Sequence, residues 1–289
     1  MDGAIAVLSR QTGYLVTTEP TASPEASRQL QGEGWALVPG VLSAAEIAAL
    51  ATEIDGVFEA LGPDNRAMTA DEAHYLPFRY EMLNRSPLSQ VAIARREILD
   101  VVEPLLGEDC HVIANTAWRQ GAGEVSHHGG LNWHMDAGPH VPRPPGISWD
   151  QRIPYPIFAV ACHIFLQDCP IECGPTGVIP RSHMSGQAPP KDRRLDDSLN
   201  YEGVGVLPIL AAAGDVALFV SDVWHRRMPP QPGDPGRFFL QVHYGRRDIA
   251  QRLRTTAEVN QLSAGAVARA VSPRDRTLIG LHPPRFYDG

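Results

Sequence analysis

The segment LNWHMDAG contains His134 and Asp136, the only His-x-Asp or His-x-Glu pair in the sequence. On a β-strand, residues i and i+2 lie on the same face with Cβ atoms roughly 6–7 Å apart, so one cation can bind an imidazole nitrogen and a carboxylate oxygen. A third ligand from elsewhere would complete a facial set of two histidines and one carboxylate. The pair alone is weak evidence, because a surface pair or a plain His–Asp hydrogen bond is the ordinary alternative.

A second segment, GDVALFVSDVWHRR, places His225 at the end of an apolar strand and so offers a third ligand. The turn-rich MPPQPGDPG follows, and Arg237 then opens the strand RFFLQVHYG. In an antiparallel hairpin, residues near the open end lie on adjacent strands and can face the same cavity. A metal at one end of a cavity and a guanidinium at the other suit a dicarboxylate keto acid, whose distal carboxylate an arginine binds bidentately.

Helices are predicted on both sides of a region of short strands. Apolar residues at helical spacing predict a helix in LSAAEIAALATEIDGVFEAL, with Ser43 and Glu46 as a capping box. Residues 87–106 are predicted to form a second long helix, with Pro87 near its first turn. Helix-like patterning returns over residues 247–270.

Short apolar runs, rich in β-branched and aromatic residues, predict the strands. They are WALV, HVIANTAWR, IFAVACHIFL, VGVLPIL, DVALFV and RFFLQVHYG. This order predicts an α+β, mainly β fold with one barrel-like core. We expect a flexible arm over residues 1–22 and a single domain over residues 23–289, with loops 62–80 and 137–156 as lid candidates. Residues 185–200 have a composition typical of disorder.

Four segments together resemble the phytanoyl-CoA dioxygenase family of iron- and 2-oxoglutarate-dependent oxygenases: NWHMDAG, CGPTGVIPRSHMSG, GDVALFVSDVWHRR and RFFLQVHYG. GWALVPGVLSAAEIAAL resembles the entry helix of that family, so the resemblance runs from about residue 30 to the C-terminus. Arg181 stands where the family usually has glycine. The resemblance implies a double-stranded β-helix, that is, a jelly-roll or cupin-like barrel with flanking N-terminal and C-terminal helices.

The resemblance also implies roles for the chemical residues. His134, Asp136 and His225 match the family's ligands for iron(II), and Arg237 matches the arginine that binds 2-oxoglutarate. The implied reaction converts 2-oxoglutarate and O2 to succinate and CO2 and hydroxylates a substrate, while desaturation, epoxidation and ring formation stay open. Because Asp136 keeps the carboxylate that related halogenases replace with a small residue, halogenation is disfavoured.

Two assignments at the cosubstrate end leave alternatives. His225 and Arg237 are twelve residues apart, slightly more than we expect for the family, so Arg226 and Arg227 stay as alternatives for the 2-oxoglutarate contact. Asn115, on the strand before the metal motif, is a candidate second contact to the cosubstrate.

The substrate is expected to be a small organic molecule, such as a specialised metabolite. An acyl-CoA hydroxylase, a cupin-like protein that binds a metal or small molecule without turnover, and a zinc hydrolase with the same three ligands are the alternatives. A serine hydrolase is disfavoured, because the sequence has no G-x-S-x-G motif.

Composition excludes some partners and leaves others open. The net charge of −8 argues against a nucleic-acid partner, which would need clustered Lys and Arg. The sequence shows neither a signal-peptide pattern nor an apolar run of about 18 residues, so no membrane span is expected. Four cysteines suggest reduced thiols and a cytoplasmic location, and a zinc site at Cys169 and Cys173 is disfavoured. The oligomeric state stays unknown.

The remaining histidines and the neighbouring tryptophans are expected to be structural. His163 and His243 lie within strands and are expected to be hydrogen-bonded core residues, whereas the histidines at 127–128 are expected to lie in a loop. Trp133 and Trp224 each precede a ligand, so strand alternation should turn both away from the metal.

Overall fold

The structure, a computed structural model, describes most of the chain. It covers residues 5–8, 15–18, 24–60, 77–123, 130–136, 138–147, 149–150, 152–250 and 262–283. Within these residues, six strands form one antiparallel sheet and three short strands form another. A separate pair, β1 (Ile5–Leu8) and β2 (Leu15–Thr18), forms a small sheet of its own.

The six-stranded sheet contains the long apolar strands that the sequence predicts. Its members are β3 (Trp35–Val38), β4 (Phe78–Tyr80), β5 (His111–Gln120), β6 (Ala159–Phe165), β9 (Val216–Val220) and β11 (Arg237–Gly245). They pair in the order β3-β9-β6-β11-β5-β4, and every pairing is antiparallel.

The two faces of this sheet have different surroundings because side chains alternate along each strand. On β11, Leu240, Val242 and Tyr244 belong to the main apolar core, which the helices share. The alternate residues of β11 face the interior of the barrel instead. The sheet is therefore apolar towards the helices and chemically mixed towards the interior.

The three-stranded sheet is short and irregular. It consists of β7 (Thr176–Val178), β8 (Leu207–Pro208) and β10 (His225–Arg227), in the order β10-β7-β8. Beyond β10, an isolated bridge joins His134 to His225. Together the two sheets form the predicted jelly-roll barrel, so the fold class is confirmed.

Helices cover the outer face of the six-stranded sheet. They are α1 (Glu25–Glu33), α2 (Ala44–Ala60), α3 (Met82–Arg85), α4 (Pro87–Ala92), α5 (Arg96–Leu106), α6 (Ala264–Arg269) and α7 (Pro273–Leu278). The predicted capping box of α2 is present, since Ser43 N donates to Glu46 Oε2 at 2.8 Å and Glu46 N donates to Ser43 Oγ at 3.4 Å.

The predicted single helix over 87–106 is wrong, because the structure divides it into α4 and α5. Arg95 between them has an extended backbone conformation with ψ of 131°. Its guanidinium donates to Val41 O and Glu46 Oε1, both at 2.9 Å, and Tyr244 donates its hydroxyl to Ile93 O at 2.8 Å. These partners are distant in sequence, and they hold the break in place.

The predicted disorder over 185–200 is also wrong. This segment contains a short 3-10 turn at Lys191–Arg193 and packs against the segment that carries the His-x-Asp pair. Trp133 N donates to Arg194 O at 2.7 Å, and Trp133 Nε1 donates to Asp196 O at 2.8 Å. The segment therefore supports the outer side of the metal motif.

Several predicted regions lie partly outside the described residues. Residues 62–76 of the first lid candidate, 251–261 of the C-terminal helical region and the histidines at 127–128 are outside them. The expected flexible arm over 1–22 contains the paired strands β1 and β2, and its other residues also lie outside. The second lid candidate is described over 138–147, 149–150 and 152–156 and has no regular secondary structure there.

Candidate metal centre and cavity

Backbone pairing holds the two candidate histidine ligands side by side. His134 N donates to His225 O at 2.9 Å, and His225 N donates to His134 O at 3.0 Å. The centroids of their rings are 4.3 Å apart. Two residues further on, Asp136 N donates to Ser221 O at 3.1 Å, which keeps this segment beside the end of β9.

The three candidate ligands converge on one point. One ligand atom from each of His134, Asp136 and His225 lies within 4.8 Å of the other two. Asp136 Oδ1 is 3.4 Å from His225 Nε2 and 4.0 Å from His134 Nε2. Asp136 Oδ2 is buried and accepts no hydrogen bond from the described residues, which is costly unless a cation is bound. Two imidazoles and one carboxylate fit iron(II), so the residues suit the metal that the sequence implies.

Main-chain carbonyls orient both imidazoles. His134 Nδ1 donates to Asn132 O at 2.7 Å, and His225 Nδ1 donates to Val223 O at 3.0 Å. A proton on Nδ1 leaves the lone pair of Nε2 available for a metal, which is the usual arrangement for a histidine ligand. Both candidate ligands are therefore in the tautomer that metal binding needs.

Gly130 leaves room for the His134 ring. A Cβ atom at this position would lie 2.3 Å from His134 Cε1, and the φ of +68° also disfavours other residues. Gly130 O accepts from Arg227 N at 2.9 Å, which fixes the glycine against β10. A larger side chain here would have to displace the imidazole.

The ionisable groups favour a charged Asp136 carboxylate and a neutral His134 imidazole. Removal of solvent lowers the pKa of His134 to about 4, with the neighbouring His225 as a further cause. Burial alone would raise the pKa of the Asp136 carboxyl, but the His225 imidazole holds it below its ordinary value. Burial opposes protonation of His225, yet the Asp136 carboxylate raises the pKa of that imidazole. Near neutral pH the site thus holds a carboxylate and at least one neutral imidazole.

The candidate ligands line a cavity of about 500 Å³ inside the barrel. Both sheets contribute to its wall, and the alternate residues of β11 form a continuous row along it. The residues of this row are Arg237, Phe239, Gln241 and His243, and the other residues of the wall include Tyr80, Thr116, Trp118, His163, Thr176 and Phe219.

His243 lies closer to the metal centre than the sequence predicts, with its Nε2 3.3 Å from Asp136 Oδ2. Trp118 Nε1 donates to Gln241 Oε1 at 2.7 Å, so the Gln241 amide nitrogen is the group that faces His243 Nε2 at 3.0 Å. Because that nitrogen then accepts from Gln241, it has no proton to donate to Asp136. This chain of contacts explains why the carboxylate oxygen lacks a hydrogen bond.

His163 and His243 both line the cavity, and neither belongs to the candidate ligand group. The signal that could have found His243 is the period of two that starts at Arg237 on RFFLQVHYG. By contrast, Trp133 and Trp224 turn away from the metal centre as alternation predicts, and they pack together in a separate apolar cluster.

The far end of the cavity is cationic. Arg237 is buried, its guanidinium lies over the Phe239 ring at 4.8 Å, and its Nη2 donates to Thr176 Oγ1 at 3.5 Å. Arg227, two residues after His225, is on the same face of β10 and is also buried. Burial and then the charge of Arg237 lower the pKa of Arg227 to about 10, so the Arg227 side chain is a cation at neutral pH.

Asn115 is not brought to the cavity. Its strand neighbours Ala114 and Thr116 line the wall, so alternation turns the Asn115 side chain to the other face of β5. There its Nδ2 donates to Gln241 O at 3.0 Å. This placement corrects the expectation that Asn115 contacts the cosubstrate.

The described residues of the lid candidate 137–156 do not line the cavity either. They are anchored to Asp222, which accepts from His140 N at 2.9 Å and from the Tyr155 hydroxyl at 3.2 Å. Of the other lid candidate, 62–80, Tyr80 reaches the wall.

Residues 30–227 match the phytanoyl-CoA dioxygenase (PhyH) family, which is more than half of the chain and includes all three candidate ligands. The chain belongs to this family. It is a 2-oxoglutarate-dependent non-haem iron enzyme of the oxygenase type, with iron and 2-oxoglutarate as its cofactors. Arg237 lies beyond the matched residues of this PhyH-family enzyme, so its role depends on the geometry of the cavity.

Solved structures with the same fold include enzymes of nogalamycin biosynthesis. The epimerase SnoN, in complex with Fe3+, alpha ketoglutarate and nogalamycin RO, is 17% identical with a TM-score of 0.61, covering 85% of this chain and 92% of that one. The alpha-ketoglutarate-dependent carbocyclase SnoK is 20% identical with a TM-score of 0.59, covering 84% and 92%. AviO1 from Streptomyces viridochromogenes Tue57 is 18% identical with a TM-score of 0.54, covering 79% and 96%. At these identities the similarity establishes the shared barrel.

No curated protein shows a significant match to the sequence. Among the described helices, none has both the length and the apolar character that crossing a membrane requires.

Proposed function

We propose that this PhyH-family enzyme binds iron(II) through His134, Asp136 and His225 and binds the distal carboxylate of 2-oxoglutarate through Arg237. The observation that carries this assignment is that ligand atoms of the three residues lie within 4.8 Å of one another, while the second oxygen of Asp136, Oδ2, is buried without a hydrogen bond from the described residues. Arg237 lines the same cavity, so the two functional groups that a keto acid needs share one enclosed space.

Bound iron(II) would supply open coordination positions for 2-oxoglutarate and O2, with release of succinate and CO2 and oxidation of the substrate. The chain's own residues orient and enclose the reactants. The carbonyls of Asn132 and Val223 fix the two imidazoles, and the cationic end of the cavity aligns the keto acid. Phe219 and Phe239 make the wall between these ends apolar.

We propose a compact, ring-containing metabolite as the substrate. Trp118 and Phe239 stack with an interplanar angle of 7°, and Tyr80 lines the same cavity, so the wall offers flat aromatic surfaces. The epimerase and carbocyclase of nogalamycin biosynthesis share this barrel, which supports reaction outcomes beyond hydroxylation. An acyl-CoA would need a basic contact for its phosphate, but Arg193 in the 3-10 turn already pairs with Asp196 at 2.8 Å, so the acyl-CoA alternative has less support. We propose the cytoplasm as the location.

The assignment is tested by succinate release from 2-oxoglutarate, with iron(II), ascorbate and air, in the wild type and His134→Ala. The variant is expected to lose at least 100-fold in rate, because two ligands do not hold the iron in its facial geometry. The matched control is Arg152→Gln, an exposed side chain outside the cavity, which should keep the wild-type rate. Equal rates in the wild type and His134→Ala would refute the metal site.

The two rival functions give different results in the same assay. A cupin-like binding protein would release no succinate in any variant. A zinc hydrolase with these ligands would work without oxygen and would be insensitive to N-oxalylglycine, an inert mimic of 2-oxoglutarate.

A further inference from the structure

Two buried guanidinium groups occupy the cationic end of the cavity, although one arginine is enough to bind a carboxylate. Arg227 is 4% exposed and Arg237 is 8% exposed, and both line the cavity wall. Thr176, which is the register partner of Arg227 on β7, also accepts from Arg237. Thr176 therefore neighbours Arg227 across the strands and contacts the guanidinium of Arg237.

The protein itself satisfies these groups poorly. Nε of Arg227 and Nε of Arg237 are both buried without a hydrogen-bond partner in the described residues. Their side-chain hydrogen bonds are long, 3.4 Å from Arg227 Nη2 to Cys173 O and 3.5 Å from Arg237 Nη2 to Thr176 Oγ1. Burying a cation without a partner is unfavourable, so this arrangement points to an anion that is bound in the working enzyme.

The charged side chains at the cationic end of the cavity leave one positive charge, which a bound anion would neutralise. Asp234 is a buried acid whose electrostatic effect reaches Arg227, but it forms no ion pair within 4.0 Å with either arginine. Its Oδ1 accepts from Gly236 N at 2.8 Å. Two positive charges and one negative charge leave a net charge of one, which a single carboxylate neutralises.

The neighbouring Arg226 shows what a structural arginine looks like in this region. It lies over the Trp133 ring at 4.8 Å and forms an ion pair with Asp197 on the outer side of β10. Arg227 has no such acidic partner among the described residues. Arg226 also lines the cavity and its Nε is also unsatisfied, so the lack of an ion pair within the described residues is what distinguishes Arg227.

We propose that Arg227 is a second cosubstrate-binding residue and that it shares the distal carboxylate of the keto acid with Arg237. This inference rests on the proposed function and deepens it. Two guanidiniums can each donate to one carboxylate oxygen, and the Thr176 hydroxyl can donate a further hydrogen bond. The site should consequently select dicarboxylate keto acids strongly over keto acids with an uncharged end.

The test is anaerobic calorimetry on the full chain loaded with Mn(II), which prevents turnover. The two probes are 2-oxoglutarate and 2-oxopentanoate, which has the same chain length but lacks the distal carboxylate. The ratio of their dissociation constants therefore measures the contribution of the distal carboxylate to binding. The variants are Arg237→Gln, Arg227→Gln and Arg227→Lys, with Arg152→Gln, an exposed arginine outside the cavity, as the control. The melting temperature of each variant reports whether it is folded.

The wild type should bind 2-oxoglutarate on the order of 100-fold more tightly than 2-oxopentanoate, as two charge-assisted contacts would give. Arg237→Gln and Arg227→Gln should each reduce this ratio by about tenfold. Arg227→Lys should reduce it less, because a lysine keeps the charge but lacks the planar fork. Arg152→Gln should leave the ratio unchanged.

The possible results distinguish failure of the Arg227 role from failure of the proposed keto-acid site. Suppose that Arg237→Gln reduces the ratio and that the folded Arg227 variants leave it unchanged. This result overturns the proposed role of Arg227 and leaves the proposed function intact. An unchanged ratio in both Arg237→Gln and the Arg227 variants, or no preference in the wild type, overturns the proposed keto-acid site and the inference with it.

Discussion

The two sheets around the cavity differ in regularity and in what they contribute. The six-stranded sheet has strands of up to ten residues, and helices cover its apolar outer face. The three-stranded sheet has strands of two or three residues, yet it carries His225 and Arg227, and His134 pairs along its edge. Long strands thus provide most of the packing, whereas short strands and their loops place the ligands.

The residues that stabilise the fold and the residues that bind the metal and keto acid therefore lie largely on different parts of this barrel. Changes to the outer face of the six-stranded sheet should alter the free energy of unfolding and spare the metal centre. Changes along the short strands should alter binding of the metal and keto acid with a smaller effect on folding.

The largest expected effect is on folding and comes from Leu240→Ala. Leu240 is fully buried on the outer face of β11, away from the cavity, so its loss leaves a void in the main core. The free energy of unfolding should fall by about 2–5 kcal/mol in a urea titration, while the folded fraction keeps wild-type affinity for 2-oxoglutarate. Leu210→Ala is the control, because Leu210 is 48% exposed and should change stability little. A weakened affinity in folded Leu240→Ala would break the separation.

The next effect is on metal binding and comes from Gly130→Ala. The new methyl group would displace the His134 ring, so affinity for Mn(II) should fall by about 10–100-fold, which is the range for disturbing a ligand's support. Equilibrium titration with Mn(II) measures it. Gly146→Ala separates this effect from backbone strain, because Gly146 also has a positive φ of +83° but no atom within 4 Å of the added Cβ. Equal losses in both variants would show that strain alone is responsible.

The smallest effect is on the pH dependence of stability, through His183. This residue follows β7 and links the short sheet to α1, since its Nε2 donates to Gln31 O at 3.0 Å. Burial lowers the pKa of His183 to about 4, so the contribution is complete above the ordinary histidine pKa and is lost as the pH falls towards 4.

Wild-type stability should therefore decrease by up to about 1 kcal/mol more than that of His183→Gln between pH 6.5 and 5.5. Urea titrations of both proteins at the two pH values measure this difference, and the variant corrects for all other titrating groups. Parallel loss in the two proteins would show that His183 does not couple the sheet to the helix.

Much of the regular sheet is predictable from sequence because its signal is local. RFFLQVHYG has the composition and length of a buried strand and spans all of β11, and WALV spans β3. The break between α4 and α5 has no such signal, because Arg95 and Tyr244 hold it through contacts with distant residues. The same holds for residues 185–200, whose polar composition conceals their packing against Trp133.

Some residues of the candidate site are likewise predictable from the sequence, and others are not. His134 and Asp136 are recognisable from their spacing, and His225 and Arg237 from the segments that resemble the family. The proposed role of Arg227 depends on two facts that only the folded chain provides, which are its burial and its lack of an acidic partner among the described residues. Asn115 was misplaced because the face of β5 depends on the pairing with β11.

The carbonyl partners of the two histidine rings have a consequence for how this enzyme can diverge. Every amino acid supplies a main-chain oxygen, so positions 132 and 223 can change without loss of the atoms that orient the imidazoles. Selection can then replace residues around the reaction centre, and so change which molecule is accepted, while the tautomers of both rings persist. A scaffold with this property can acquire new substrates through ordinary substitutions, without passing through forms that have lost the metal.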